Sequence, residues 1–171
     1  MQERFVTKAM EDFILYKTFP SGGTVSLMTG LDKTSSDYSD LISIACCFAR
    51  AGRYVIILSP VHYKDQLYGQ VFGKLIGTKY ERKCPDLLID GNYYEYESYE
   101  RPYETEKIER MISRGAKQAP NIVIDIRESS VTKKVISTKV QRLKGQKSFK
   151  SQIASVWIYD GENVEMVYKN K

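Results

Sequence analysis

Histidine is almost missing from this chain: His62 is the one example in 171 residues. A mechanism built on histidine would have to use that side chain alone or with a glutamate, and a lone His shortly after Pro60 reads more simply as a surface-loop residue. Cysteine is also scarce, with Cys46 and Cys47 adjacent in an apolar run and Cys84 by itself. This set makes neither a disulfide framework nor a metal-ligand spacing, so reduced thiols in or near the core are expected. No apolar run approaches the roughly 18–20 residues that span a bilayer. The first residues, through Phe13, mix charges of both signs and lack the apolar stretch of a secretory signal. A soluble, cytoplasmic protein that engages no membrane is the expectation. Internal repeats and low-complexity tracts are missing as well.

What is present suits a globular domain. A chain of 171 residues with 42% hydrophobic and 27% charged residues can bury a real core. The net charge of +5 is modest, but its distribution is uneven. Between Val131 and Lys150 lie seven basic residues (Lys133, Lys134, Lys139, Arg142, Lys144, Lys147 and Lys150) and no acidic one. Such a block makes a local potential suited to a polyphosphate partner.

Residues 1–35 carry weak signals, among them a possible strand over Thr24 to Met28, and read as an N-terminal extension packing on a single domain over 36–171. From Ser36 to Ala51, Leu41, Ile44, Ala45 and Phe48 recur at helical spacing, with Ser or Asp as N-cap and Gly52 as stop. Tyr54 to Ser59 is a β-branched run closed by Pro60, a buried strand. Val61 to Lys83 has no stable period and reads as loop and short helix. Two strand-like runs then flank Asp90 and Gly91, a dipeptide favoured in type I′ hairpin turns, so Pro85 to Tyr99 is predicted to be a hairpin. Thr105 to Ala119 is an amphipathic helix with Ile108, Met111 and Ile112 inward, and Pro120 stops it. Asn121 to Ile126 is a second buried strand. A basic helix over about Val131 to Leu143 and two closing strands split by Asp160, Gly161 and Glu162 complete the chain. The fold class predicted is α/β (α+β), a central mixed β-sheet flanked by helices.

In a two-residue turn, Asp86 lies opposite Glu95, with Cβ atoms about 4.5–5.5 Å apart, where like charges are unfavourable. Side chains repeat every two residues, so Glu97 shares the face of Glu95. Three converging carboxylates point to a hard divalent cation. Mg²⁺ is the first choice, with Mn²⁺ or Zn²⁺ as alternatives, because Mg²⁺ is held by one or two carboxylates plus water and phosphate oxygens. The solvated face of an edge hairpin, with Tyr94 and Tyr96 toward the core, would give the same string. On the next helix Lys107, Arg110, Arg114 and Lys117 form one basic stripe, most often simply a solvated face. Beside an acidic site, a lysine at its end would hold a scissile phosphate or the attacking water.

Pro85 and Asp86, followed after the turn by Glu95, Tyr96 and Glu97, resemble the PD-(D/E)xK nuclease signature, with Glu97 where that signature carries lysine. The segments from Pro85 to Gly91, Tyr93 to Ser98 and Glu109 to Ile126 are similar to C-terminal toxin domains of contact-dependent growth inhibition systems. Some of those domains cleave tRNA and others DNA. The similarity runs over roughly Ser36 to Ile126. It implies a restriction-endonuclease-like fold, with Asp86 and Glu95 as metal ligands and Glu97 as ligand or base. Lys117 would be the phosphate-activating cation, with Gln118 beside it. An acidic residue on the first helix is also implied, with Asp40 the first candidate and Asp37 the second.

Two functions compete. One is a metal-dependent nuclease acting on tRNA or DNA, toxin-like and held by a cognate inhibitor protein. Arg114, Gln118, Lys133, Lys134, Lys139, Arg142 and Lys144 would then contact nucleic acid, and Tyr99 and Tyr103 are candidates for stacking on bases. The other is a catalytically inactive nucleic-acid-binding or interaction module on the same fold. Asp125, which interrupts a buried strand, is expected to bond a neighbouring loop or pair with Arg127.

Overall fold

The computed structural model describes residues 12–98, 105–127, 131–146 and 153–170. Tyr99, Tyr103, Lys147 and Lys150 lie outside the described residues. The chain parts into two compact units, Met1–Asn92 and Tyr93–Lys171, a division inside the stretch that reads as one domain from sequence.

In the first unit, β1 (Phe13–Thr18) pairs antiparallel with β2 (Thr24–Met28), in the stretch that reads as an N-terminal extension. Next, β2 runs parallel to β3 (Tyr54–Ile57), which pairs antiparallel with β4 (Leu87–Ile89). Between β2 and β3 the chain forms α1 (Tyr38–Arg50), whose apolar stripe of Leu41, Ile44, Ala45 and Phe48 is buried as its spacing predicts. This stripe packs the helix on β2 and β3. Asp37 occupies the N-cap, yet its side chain makes no capping hydrogen bond. Gly52, at φ +84°, ends the helix in a conformation that other residues rarely adopt. Gly23 meets a different demand: a Cβ there would sit 2.0 Å from the Ala49 carbonyl oxygen, so only glycine lets the two backbones approach. The segment without a period holds a short helix, α2 (Gln66–Val71), and a 3₁₀ turn over Gly73–Leu75. Asp65 caps α2 by accepting the Leu67 N–H at 3.0 Å.

Asp90 and Gly91 have φ of +47° and +77°, and the type I′ turn demands positive φ at both central positions. They turn the chain between β4 and β5 (Asn92–Ser98). Asp90 is further held by the Arg53 guanidinium at 2.7 Å and the Tyr54 N–H at 2.9 Å.

In the second unit, β5 runs parallel to β6 (Asn121–Asp125), β6 parallel to β7 (Ser155–Tyr159), and β7 antiparallel to β8 (Val164–Lys169). Each unit therefore holds a mixed sheet, with α1 packed on the first and two helices on the second, which is the fold class the sequence predicts. Two helices, α3 (Thr105–Gly115) and α4 (Lys133–Gly145), cover one face through Ile108, Ile112, Ile136 and Val140 against Ile122, Ile124, Val156 and Ile158. Thr132 caps α4 by accepting the Val135 N–H. On the opposite face the Trp157 indole N–H donates to Ser155 Oγ at 3.0 Å and that hydroxyl to Asn121 Oδ1 at 2.7 Å. The Asn121 amide in turn donates to the Tyr93 carbonyl at 2.9 Å, so Asn121 and Ser155, both buried, are satisfied. Among the described residues, no helix is long and apolar enough to cross a membrane.

Candidate functional site

Along β5 the side chains alternate. Tyr94 and Tyr96 are buried on one face, while Glu95 and Glu97 point to the face that α3 covers. Glu95 is half-buried beside Ile122 in register, and Glu97, beside Ile124, is 1% exposed. A carboxylate taken so far from water must be paired and hydrogen-bonded. Arg114 on α3 meets the demand: its Nε lies 3.0 Å from both Glu97 oxygens, and its Nη2 donates to Oε2. The Arg114 side chain nevertheless stays 70% exposed.

Gly115 explains how the helix comes so near. A Cβ there would lie 3.1 Å from Ile122 Cγ2 and 3.3 Å from Glu97 Cγ. The hydrogen bond to Glu97 and the charge of that carboxylate hold the Arg114 pKa above its usual value, and the Glu95 charge adds to the effect. Beyond α3 the chain turns once more, with the Lys117 N–H donating to the Arg114 carbonyl at 3.0 Å and the Gln118 N–H to that of Gly115 at 2.9 Å. Lys117 is exposed. The Gln118 Oε1 is buried and accepts no hydrogen bond from the described residues.

Of the three carboxylates expected to converge, Glu97 is engaged by Arg114. Among the described residues, no group of three or more His, Cys, Asp or Glu side chains is disposed to hold a metal ion. Within the second unit the reason is direct: Glu97 turns both oxygens to Arg114. In the first unit, Asp86 is half-buried, and its carbonyl accepts the Leu58 N–H at 2.8 Å, continuing the ladder beyond β3. Asp40 is half-buried in the first turn of α1. His62 is an exposed loop residue, as its position in the sequence suggests.

The basic block is not a uniform surface. Lys139 is buried and bonds Glu109 of α3 at 3.0 Å, with Arg142 on the same carboxylate at 3.3 Å. It joins the two helices where the sequence suggested a nucleic-acid contact. Lys133 pairs with Glu165, and Lys144 donates to the Tyr168 hydroxyl and, at 2.8 Å, to Asn170. Lys134 is exposed. Of the roles foreseen for Asp125, pairing with Arg127 forms, at 2.6 Å, and its carboxylate also accepts the Arg127 backbone N–H just beyond β6.

Sequence reasoning missed the Glu97–Arg114 pair. Its traces were the face that Glu97 shares with the helix-covered side of β5 and the glycine that directly follows Arg114.

What the second unit offers is thus an acidic strand end joined to a basic helix end. Residues 83–164 match the family model described as "Contact-dependent growth inhibition CdiA C-terminal domain", just under half of the chain. Asp86, Glu95, Glu97, Arg114, Lys117 and Gln118 all fall inside that stretch, and Asp40 falls outside it. Among solved structures, the chain is similar to one described as "CdiA-CT/CdiI toxin and immunity complex from Burkholderia pseudomallei". The TM-score is 0.55 at 19% identity, over 83% of this chain and 91% of that one. At that identity the likeness is one of fold. No curated protein matches the chain.

Proposed function

We propose that this chain is a metal-dependent nuclease of the PD-(D/E)xK kind, which hydrolyses phosphodiester bonds of tRNA or DNA in the cytoplasm. It acts as a toxin restrained by a cognate inhibitor protein. The observation that carries this reading is the pairing of Glu97, next but one to Glu95 on an acidic strand, with Arg114 at the basic end of α3 inside the stretch that matches the growth-inhibition family model. The similar solved structure, described as a toxin and immunity complex, supports the toxin and inhibitor part.

The donor chemistry fits a hard cation. With the charge of Glu97 met by Arg114, Asp86 and Glu95 remain the candidate ligands, and Mg²⁺ commonly uses one or two carboxylates completed by water and substrate oxygens. Such an ion would supply Lewis-acid polarisation and a nucleophilic water at neutral pH. The chain's own residues bind and orient: Lys117 and Gln118 contact the scissile region, and Lys134 and Arg142 hold backbone phosphates. Asp40 is retained as a further acidic contributor.

Incubation with labelled tRNA, plasmid and single-stranded DNA in EDTA, Mg²⁺, Mn²⁺ or Zn²⁺, beside Asp86→Ala and Glu95→Ala, tests the reading. Metal-dependent cleavage by the parent chain, lost in both variants while affinity persists, is the expected result. Toxicity on expression should disappear with Asp86→Ala. Glu97, standing where the signature carries lysine, favours a second reading as an inactive nucleic-acid-binding module. Binding with no cleavage under any metal would decide for that one.

A further inference from the structure

We propose that Glu97 is a positioning residue that aims Arg114, and that the outward edge of the Arg114 guanidinium binds a phosphate of a single-stranded nucleic acid. The inference rests on the nuclease reading for the identity of the ligand. Its physical basis is an asymmetry within the pair. Glu97 is buried, where a carboxylate needs a partner to offset lost solvation, whereas Arg114, 70% exposed, would be solvated without one.

A guanidinium has five N–H donors in a rigid fork. Glu97 takes the edge made by Nε and Nη2, so both N–H groups of Nη1 and the second of Nη2 have no partner among the described residues. In a pair of this geometry the remaining edge is directed away from the buried carboxylate, toward solvent. Two N–H groups at fixed spacing suit two phosphate oxygens better than a freely rotating lysine does. The close approach enforced at Gly115 removes slack between helix and strand, so the direction of the fork is set by the sheet.

Binding of a labelled single-stranded oligonucleotide in EDTA, measured across salt concentrations, separates this role from a purely structural one. Arg114→Ala should lose about tenfold in affinity, and the slope of log K against log salt should shrink by about 0.7, one phosphate contact on a single strand. Arg114→Lys should keep the slope yet bind about threefold or more weakly, because the charge remains and the fork is lost. Glu97→Gln should also keep the slope and bind more weakly. Wild-type slope and affinity in folded Arg114→Ala would overturn the proposal. Should that variant fail to fold, wild-type affinity in Arg114→Lys would overturn it instead. A parent chain that binds with these dependences and never cleaves would defeat the nuclease reading and leave the phosphate contact standing. One that cleaves equally well with Arg114→Ala, at unchanged salt slope, would do the reverse.

Discussion

Tyr96 donates its hydroxyl to Asp125 Oδ2 at 3.0 Å across the neighbouring strands β5 and β6, in the buried part of the second unit. The same carboxylate accepts the Arg127 backbone N–H at 3.0 Å and the Arg127 guanidinium at 2.6 Å. Asp125→Ala would remove this acceptor from the phenol and leave the arginine, 31% exposed, to find water. The expected loss is about 2–3 kcal/mol, at or below the low end for breaking a buried pair because Arg127 is partly solvated. Tyr96→Phe should cost only about 1 kcal/mol, since Asp125 keeps its other donors. Urea denaturation of both variants measures the difference, and equal losses would contradict the assignment.

Lys139 and Lys134 belong to one helix but should report different properties. Lys139→Met removes the buried bond to Glu109 and is expected to lower stability by about 1–3 kcal/mol, softened by the Arg142 that remains on Glu109. Its effect on nucleic-acid affinity should be small. Lys134→Ala, at an exposed position, should leave stability within about 0.5 kcal/mol and weaken binding. Thermal melts alongside oligonucleotide titrations would show whether the two effects separate in this way.

Two glycines of the first unit predict opposite responses to alanine. At Gly23 the added methyl collides with the Ala49 carbonyl, so a backbone must move, and a loss of about 2 kcal/mol or more is expected. At Gly69, inside α2, nothing lies within 4 Å, and alanine should gain about 0.5–1 kcal/mol from helix propensity. Denaturation midpoints moving in the same direction would contradict one of the two placements, Gly23 if both rise and Gly69 if both fall.

Asp90 supplies a pH dependence. Burial pushes its pKa up, but the hydrogen bonds from Arg53 and the Tyr54 N–H, with the guanidinium charge, outweigh this and leave it below the ordinary value of 3.8. A lowered pKa stabilises the folded chain above the unfolded value, and that contribution disappears as pH falls through the folded one. The pair is partly exposed, so the effect should be under about 1 kcal/mol. Asp90→Asn keeps a residue tolerant of positive φ and should retain the turn while flattening stability against pH in the acid range. Chemical denaturation across acid pH tests it, and an unchanged pH profile in Asp90→Asn would argue against the ion pair.

Periodicity and turn chemistry made much of the local structure legible. The stripe of α1, the Asp90–Gly91 turn, the inward face of α3, the buried run of β6 and the closing strands all follow from residue order, because each depends on neighbours a few positions apart. The long-range partners lay beyond that reach. Whether Glu97 meets a cation depends on Arg114, 17 residues away, arriving over β5, and that approach depends on how closely α3 packs at Gly115. Whether Lys139 is a surface charge depends on Glu109, 30 residues earlier, on the helix packed against its own. Charge patterns along a chain show which groups are available, but burial decides which must be paired, because desolvation makes an unpaired charge too costly to keep. The sequence by itself thus determined the elements and the set of candidate residues. The tertiary structure decided which of those charges became a buried pair and which still face solvent.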